Sequence, residues 1–227
     1  MFSFKQTFNF VPMLENKPQE FSEKQRHILE AAEGLFATKG YDGTSVRDIA
    51  QEAGVNIAMI SYYFGSKEKL LQAVFEMRTR YVTEQIESML RDETLEPMDK
   101  VFKLIDNYIE RIMSQQQFHK IMVREQITQK DTEIVKLIQE TKKRNLDLIK
   151  KLITEGQRKG AFKKNIDIPL MMMTMIGTAN QLITAQHYYR EMNNLHDLPD
   201  DEFQKLIKKK LSVHLKTLFK ATLTYEH

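Results

Sequence analysis

The chain has 227 residues, 41% of them hydrophobic, a formal net charge of +3 and no cysteine. Length and composition fit one or two globular units with a sizeable core, and the lack of thiols excludes disulfides, thiolate metal sites and a cysteine nucleophile. The sequence contains no Gly-rich phosphate loop, no G-x-S-x-G elbow and no H-E-x-x-H pair, so an enzyme is not expected.

Residues 1–22 scatter aromatics among polar residues and read as a loose arm that docks through Phe8, Phe10 or Phe21, not as a secretory signal. Repeated 3.6-residue periodicity, eight glycines and five prolines then predict an all-α protein of about nine helices. Ser22 is an N-cap for a helix with Ile28, Ala31, Ala32, Leu35 and Phe36 on one face, stopped by Gly40. Ser45 with Asp48 forms a capping-box pattern for a short helix to about Ala53. Asn56 caps a helix to about Phe64, and Ser66 a long one from Lys67 to about Leu90. Pro97 opens the next helix, followed by helices over Phe118 to about Thr128, Asp131 to about Lys159, Asp167 to about Met192 and Pro199 to about Thr222. The apolar run IPLMMMTMIGTANQLITA is interrupted by Asn180 and Gln181 before it reaches a bilayer span, and reads as a buried helix.

The stretch SVRDIAQEAGVNIAMISYYFGSKEKL, residues 45–70, has the spacing of a helix-turn-helix. Ala50 is small where two helices cross, Gly54 suits a left-handed turn, and Ile60 anchors the second helix. In such a unit the second helix enters the major groove and its early residues face base edges. Ile57, Ala58 and Met59 are therefore candidates for base contact, with Ser61 and Tyr62 following and Asn56 opening the same helix. Phosphates are expected at Ser45, Tyr62, Tyr63, the amides after Ser66, and Lys67, whose charge at a helix N-terminus is otherwise unfavourable. Phe64 reads as core.

The run from Gln25 to about Phe75, with Phe36, Gly40, Thr44-Ser45, Ile49-Ala50, Gly54-Val55 and the YYF.SKEKL exit, resembles the DNA-binding domain of the TetR family of transcriptional regulators. That resemblance implies an N-terminal three-helix DNA-binding domain over residues 23–70 and a larger ligand-binding and dimerisation domain over 71–227. It places Arg47 where a family side chain can reach a base; arginine can chelate guanine O6 and N7. At Ser61 the chain departs from the family, which usually has an aromatic there.

The remaining helices carry the expected effector and dimer contacts. Tyr108, Met113, Phe118 and Met122, with Met172 and Met175, supply the adaptable apolar lining of a pocket. Gln181, Thr184 and His187 add orienting polar groups. Phe203, Ile207, Leu211, Leu215 and Leu218 form an apolar stripe, which the resemblance assigns to a dimer interface. His187 and Glu191 supply at most half of a metal site, so neither metal nor cofactor is expected.

The function implied is a cytoplasmic, homodimeric repressor that binds a palindromic DNA operator and is released by a small apolar effector, with no membrane partner. The alternative is a helical dimeric adaptor or small-molecule-binding protein that does not act on DNA. Arg47, Tyr62 and Lys67 on one exposed face favour the first reading.

Overall fold

The computed structural model describes residues 21–128 and 133–225. Ten helices run through them: α1 (Glu23–Lys39), α2 (Val46–Glu52), α3 (Ile57–Phe64), α4 (Lys67–Arg91), α5 (Pro97–Ser114), α6 (Gln116–Thr128), α7 (Glu133–Arg158), α8 (Ile168–Thr184), α9 (Gln186–Met192) and α10 (Asp200–Leu223). Among the described residues there is no strand, and no helix is long and apolar enough to cross a membrane. Phe8 and Phe10 of the expected arm lie outside the described residues. Phe21 lies within them and packs against the first core.

Local chemistry starts the helices where the sequence predicts. Ser22 and Gln25 satisfy each other's backbone donors at the start of α1, and Ser45 and Asp48 do the same for α2. Asn56, Ser66 and Asp167 each accept an amide hydrogen bond in the first turn of α3, α4 and α8. One helix more is present than the nine expected, because the segment 167–192 breaks at Ala185. There the backbone leaves helical geometry, at φ −107° and ψ 30°, and turns into α9.

Two hydrophobic clusters organise the chain. In the first, Ile28, Leu29, Ala32 and Phe36 of α1 close over Ile49 and Ala50 of α2 and Ile60 and Phe64 of α3. Leu70, Leu71, Val74 and Phe75 of α4 seal the same core, with Phe118 and Ile121 of α6 and Ile138 of α7 joining from the body. The second cluster takes Ile86 from α4, Ile105 and Ile109 from α5, Leu152 and Ile153 from α7, Met171 and Met175 from α8, and Leu211, Leu215 and Phe219 from α10. Each fully buried Leu, Ile, Val, Phe or Met side chain among them contributes about 1.5–3 kcal/mol. Helix α4 runs from one cluster into the other, and so joins the small N-terminal head to the body.

Two expectations about the last helices are corrected. Phe203, Ile207, Leu211 and Leu215 of α10 are only 0%, 2%, 3% and 0% exposed, so they belong to the protomer's own core and not to a surface offered to a partner. Leu218 is half-buried. Asp106 of α5 fixes this orientation by accepting from Ser212 Oγ at 2.7 Å and Lys216 Nζ at 2.5 Å. Helix α8 is not buried all round either. Met171, Met175 and Ala179 point inward, while Leu170 and Met173 stay 59% and 67% exposed.

Candidate nucleic-acid interface and interior cavity

Helices α2 and α3 meet at Gly54, whose φ of +60° lies in the left-handed region. A Cβ there would meet nothing within 4 Å, so backbone conformation alone calls for glycine. Val55 donates its amide to the Ala50 carbonyl at 2.9 Å, closing the turn. Ala50 and Ile60, 4% and 2% exposed, hold the two helices together. The second helix is thereby a rigid rod fixed on one side, with its other side in solvent.

On that outer side stand Arg47, Ile57, Ala58, Ser61 and Tyr62, all exposed, while Met59 and Tyr63 are half-buried. Tyr62 is 84% exposed, and its ring meets the edge of Tyr63 at 5.3 Å. Tyr63 packs in turn on Phe64 at 6.2 Å, so the outermost aromatic rests on a stack that ends in the core. The Ser45 hydroxyl donates to Asp48 Oδ2 at 2.7 Å and accepts from the Asp48 amide. The Ser45 hydroxyl and the Ser45 amide, both donating to Asp48 Oδ2, hold the Asp48 carboxyl below its usual range. Asn56 Oδ1 accepts from the Met59 amide at 2.8 Å. Both side chains are thus engaged in starting helices.

Lys67 differs from the expectation. Its ammonium donates to the carbonyls of Tyr41 and Thr44, each at 2.9 Å, and sits 4.1 Å from the centre of the Tyr41 ring. The unfavourable charge at the start of α4 is relieved by two carbonyls and an aromatic face, not by a group from outside. Lys67 ties α4 to the turn after α1 and holds the head in shape.

A cavity of about 650 Å³ lies in the body between α4, α5, α6, α7 and α8. Tyr108, Phe118, Met122, Met172 and Met175 line it. Met113 packs into the second core away from it, and Gln181, Thr184 and His187 are exposed on the far side of α8 and α9. Thr184 spends its hydroxyl on its own helix, and His187 stands beside Arg190 and His196 in a separate shallow recess. Burial pushes the Tyr108 hydroxyl up to about 12, and the hydroxyl reaches Asn180 Oδ1 only at 3.5 Å.

Sequence reasoning missed Arg78, Arg111, Gln115 and His119 on this wall. Arg111 follows Tyr108 by three residues on α5, with Gln115 capping the same helix four residues on, a signal that was available. Arg78 gave none, because its partner is Glu33 of α1, distant in sequence.

A three-helix head presenting a helix-turn-helix, joined by one long helix to a body with a large apolar cavity, is the build of a ligand-responsive DNA-binding transcriptional regulator. Residues 28–74 match the family described as bacterial regulatory proteins, tetR family, and residues 75–209 match the YsiA-like protein, C-terminal region. The chain belongs to the tetR family of bacterial regulatory proteins. It is 26% identical over 162 residues to the fatty acid metabolism regulator protein of Bacillus subtilis, covering 71% of this chain and 82% of that one. It is 29% identical over 157 residues to the HTH-type transcriptional repressor NicS of Pseudomonas putida, covering 67% and 72%. The solved structure of the transcriptional regulator FadR from Bacillus subtilis in complex with stearoyl-CoA shares the fold at a TM-score of 0.65 and 23% identity, covering 88% of this chain and 99% of that one.

Proposed function

We propose that the protein is a cytoplasmic homodimeric repressor whose operator affinity falls when an apolar effector fills the body cavity. The observation that carries this reading is a wall shared between cavity and head. Phe75 and Arg78 of α4 and Phe118 of α6 line the cavity. Phe75 and Phe118 also belong to the head's core, with ring centres 5.0 Å apart, and Arg78 is paired with Glu33 of α1. A ligand in the cavity therefore presses on the groups that seat the head. If it favours one head orientation, it shifts the population toward that orientation, and a coupling of about 1–3 kcal/mol changes operator affinity roughly 5- to 150-fold.

Operator contact falls to the outer face of the head. Arg47 is the base reader, Ile57, Ala58 and Met59 face thymine methyls, and Ser61 meets a base edge or phosphate. Tyr62, Tyr63 and the amides opening α2 and α4 hold phosphates, with Ser45 and Asn56 setting the helix starts. One such unit reads few base pairs, so a second copy on a palindrome is required. The dimer contact belongs to the opposite side of the last helices from the buried stripe. Leu170 and Met173 of α8, Tyr188 and Met192 of α9 and Val213 of α10 are large, apolar and more than half exposed. An apolar face of this kind is the expected mark of a partner surface.

The test begins by selecting bound fragments from a random DNA pool. Anisotropy titrations on the selected sequence at two salt concentrations should show affinity falling steeply as salt rises, because phosphate contacts release counterions. Absence of any enriched sequence, or binding insensitive to salt, would overturn the reading in favour of the non-DNA adaptor.

A further inference from the structure

The cavity wall has a charge imbalance. Among the described residues that line it there is no aspartate or glutamate, whereas Arg78 and Arg111 both contribute guanidinium groups, and Lys142 contributes an amine with an interaction of its own. Arg78 is neutralised by Glu33. Arg111 is not: among the described residues no carboxylate pairs with it, and its guanidinium lies 5.4 Å from the Tyr108 ring centre. Burial lowers the pKa of Arg111 and, together with the Arg111 charge, that of His119. Beside this cation, His119 Nε2 and Gln115 Oε1 are buried without a hydrogen-bond partner. Both belong to the corner between α5 and α6, on the same cavity wall.

A buried cation without a counter-charge costs several kcal/mol, and an orphaned buried polar atom about 1–3 more. The cost at Arg111 and the one at His119 Nε2 disappear if something that enters the cavity carries an anion to that corner, while Gln115 Oε1, an acceptor, still needs a donor. The wall also carries Ile86, Ile149, Met172 and Met175 as apolar contacts, interspersed with polar side chains such as Asn107, Thr141 and Asn145. We propose that the cavity takes an amphiphilic carboxylate, an apolar acid bound with its carboxylate inside the protein on the Arg111 guanidinium and its chain against the α4, α7 and α8 wall. The guanidinium fork matches a carboxylate in two parallel hydrogen bonds, and His119 Nε2, as the protonated nitrogen of a neutral ring, donates a third. A thioester or ester of the same acid brings only a neutral carbonyl to the corner and leaves the charge uncompensated. This inference rests on the cavity being the effector site.

The experiment uses the full chain and calorimetric titration with octanoate and hexadecanoate, their methyl esters and hexadecanoyl-CoA. The acid is expected to bind about tenfold or more tightly than its ester, the scale of one charge-assisted hydrogen-bonded pair. Arg111→Met is expected to abolish that preference, bringing the affinity for the acid down to that for its ester. Equal affinity of the unaltered protein for acid and ester overturns the proposal without any variant having to fold. So does binding of the CoA thioester with exclusion of the free acid, or failure of both acids to bind. Operator release, followed in parallel, separates the two readings. Acid-selective binding without release sinks the effector role and leaves the carboxylate site standing, whereas release by ester and acid alike does the reverse.

Discussion

Arg78 of α4 and Glu33 of α1 form an ion pair at the joint between cavity and head, with Glu33 Oε2 accepting from both Nε and Nη2 of Arg78 at 2.8 Å. The Glu33 side chain is 4% exposed and the Arg78 side chain 29%. Arg78→Met therefore strands a buried carboxylate, and is expected to lower stability by about 1.5–3 kcal/mol, the scale of hydrogen bonds to charged groups. Glu33→Gln, which keeps an acceptor and removes the charge, should cost less. Urea unfolding at neutral pH measures both. Wild-type stability for Arg78→Met would mean the pair contributes nothing to seating the head.

Arg47 and Lys67 are expected to separate in a DNA-binding assay. Arg47 is exposed on the reading face, so Arg47→Ala should weaken operator binding by about 1–3 kcal/mol and relax the preference at one base pair. Lys67 is committed to two backbone carbonyls, so Lys67→Met should destabilise the head by about 1.5–3 kcal/mol while leaving the salt dependence unchanged. If Lys67 held a phosphate in the complex, the same substitution would instead reduce the slope of log affinity against log salt by about one. Anisotropy titrations across a salt series, with unfolding curves on the same variants, distinguish the outcomes.

The head was legible because its signals are local. Ser45 with Asp48, Asn56 before Ile57, and Gly54 in the turn each act within a few residues, and the structure shows the caps and the positive φ they imply. The body was harder to read for a physical reason. Periodicity in α10 reveals that Phe203, Ile207, Leu211 and Leu215 share a face that must be buried, but not whether α5 or a second copy buries it. In α8 the apolar residues run around the helix, so no stripe separates Met175, which is 1% exposed, from Met173, which is 67% exposed. The commitments of Lys67 to Tyr41 and Thr44, and of Arg78 to Glu33, depend on the folded arrangement of distant segments and leave no pattern in the chain.

Gly54 isolates a backbone effect. Because nothing lies within 4 Å of an added Cβ, Gly54→Ala introduces no clash, and its cost is that of placing an L-residue at φ +60°, about 1–2 kcal/mol. Gly54→Asn should cost less, since its short polar side chain tolerates that conformation. Urea unfolding of the two variants gives the order directly. Equal stability of wild type and Gly54→Ala would show that the turn relaxes to another conformation without penalty.

The two faces of the last helices should answer differently to substitution. Leu215 is fully buried in the body, so Leu215→Ala should cost about 2–5 kcal/mol of stability, through the apolar burial it removes and the cavity it leaves. Met173 is 67% exposed beside Leu170, at the edge of the cavity, and Met173→Asp should leave the protomer's fold intact while placing a charge in the proposed contact between copies. Sedimentation velocity would then show the Met173→Asp protein as a folded monomer at concentrations where the wild type is a dimer. Its operator affinity should collapse along with binding at the second half-site, since one head alone reads too few base pairs. A Met173→Asp protein that stays dimeric would move the contact away from this face of α8.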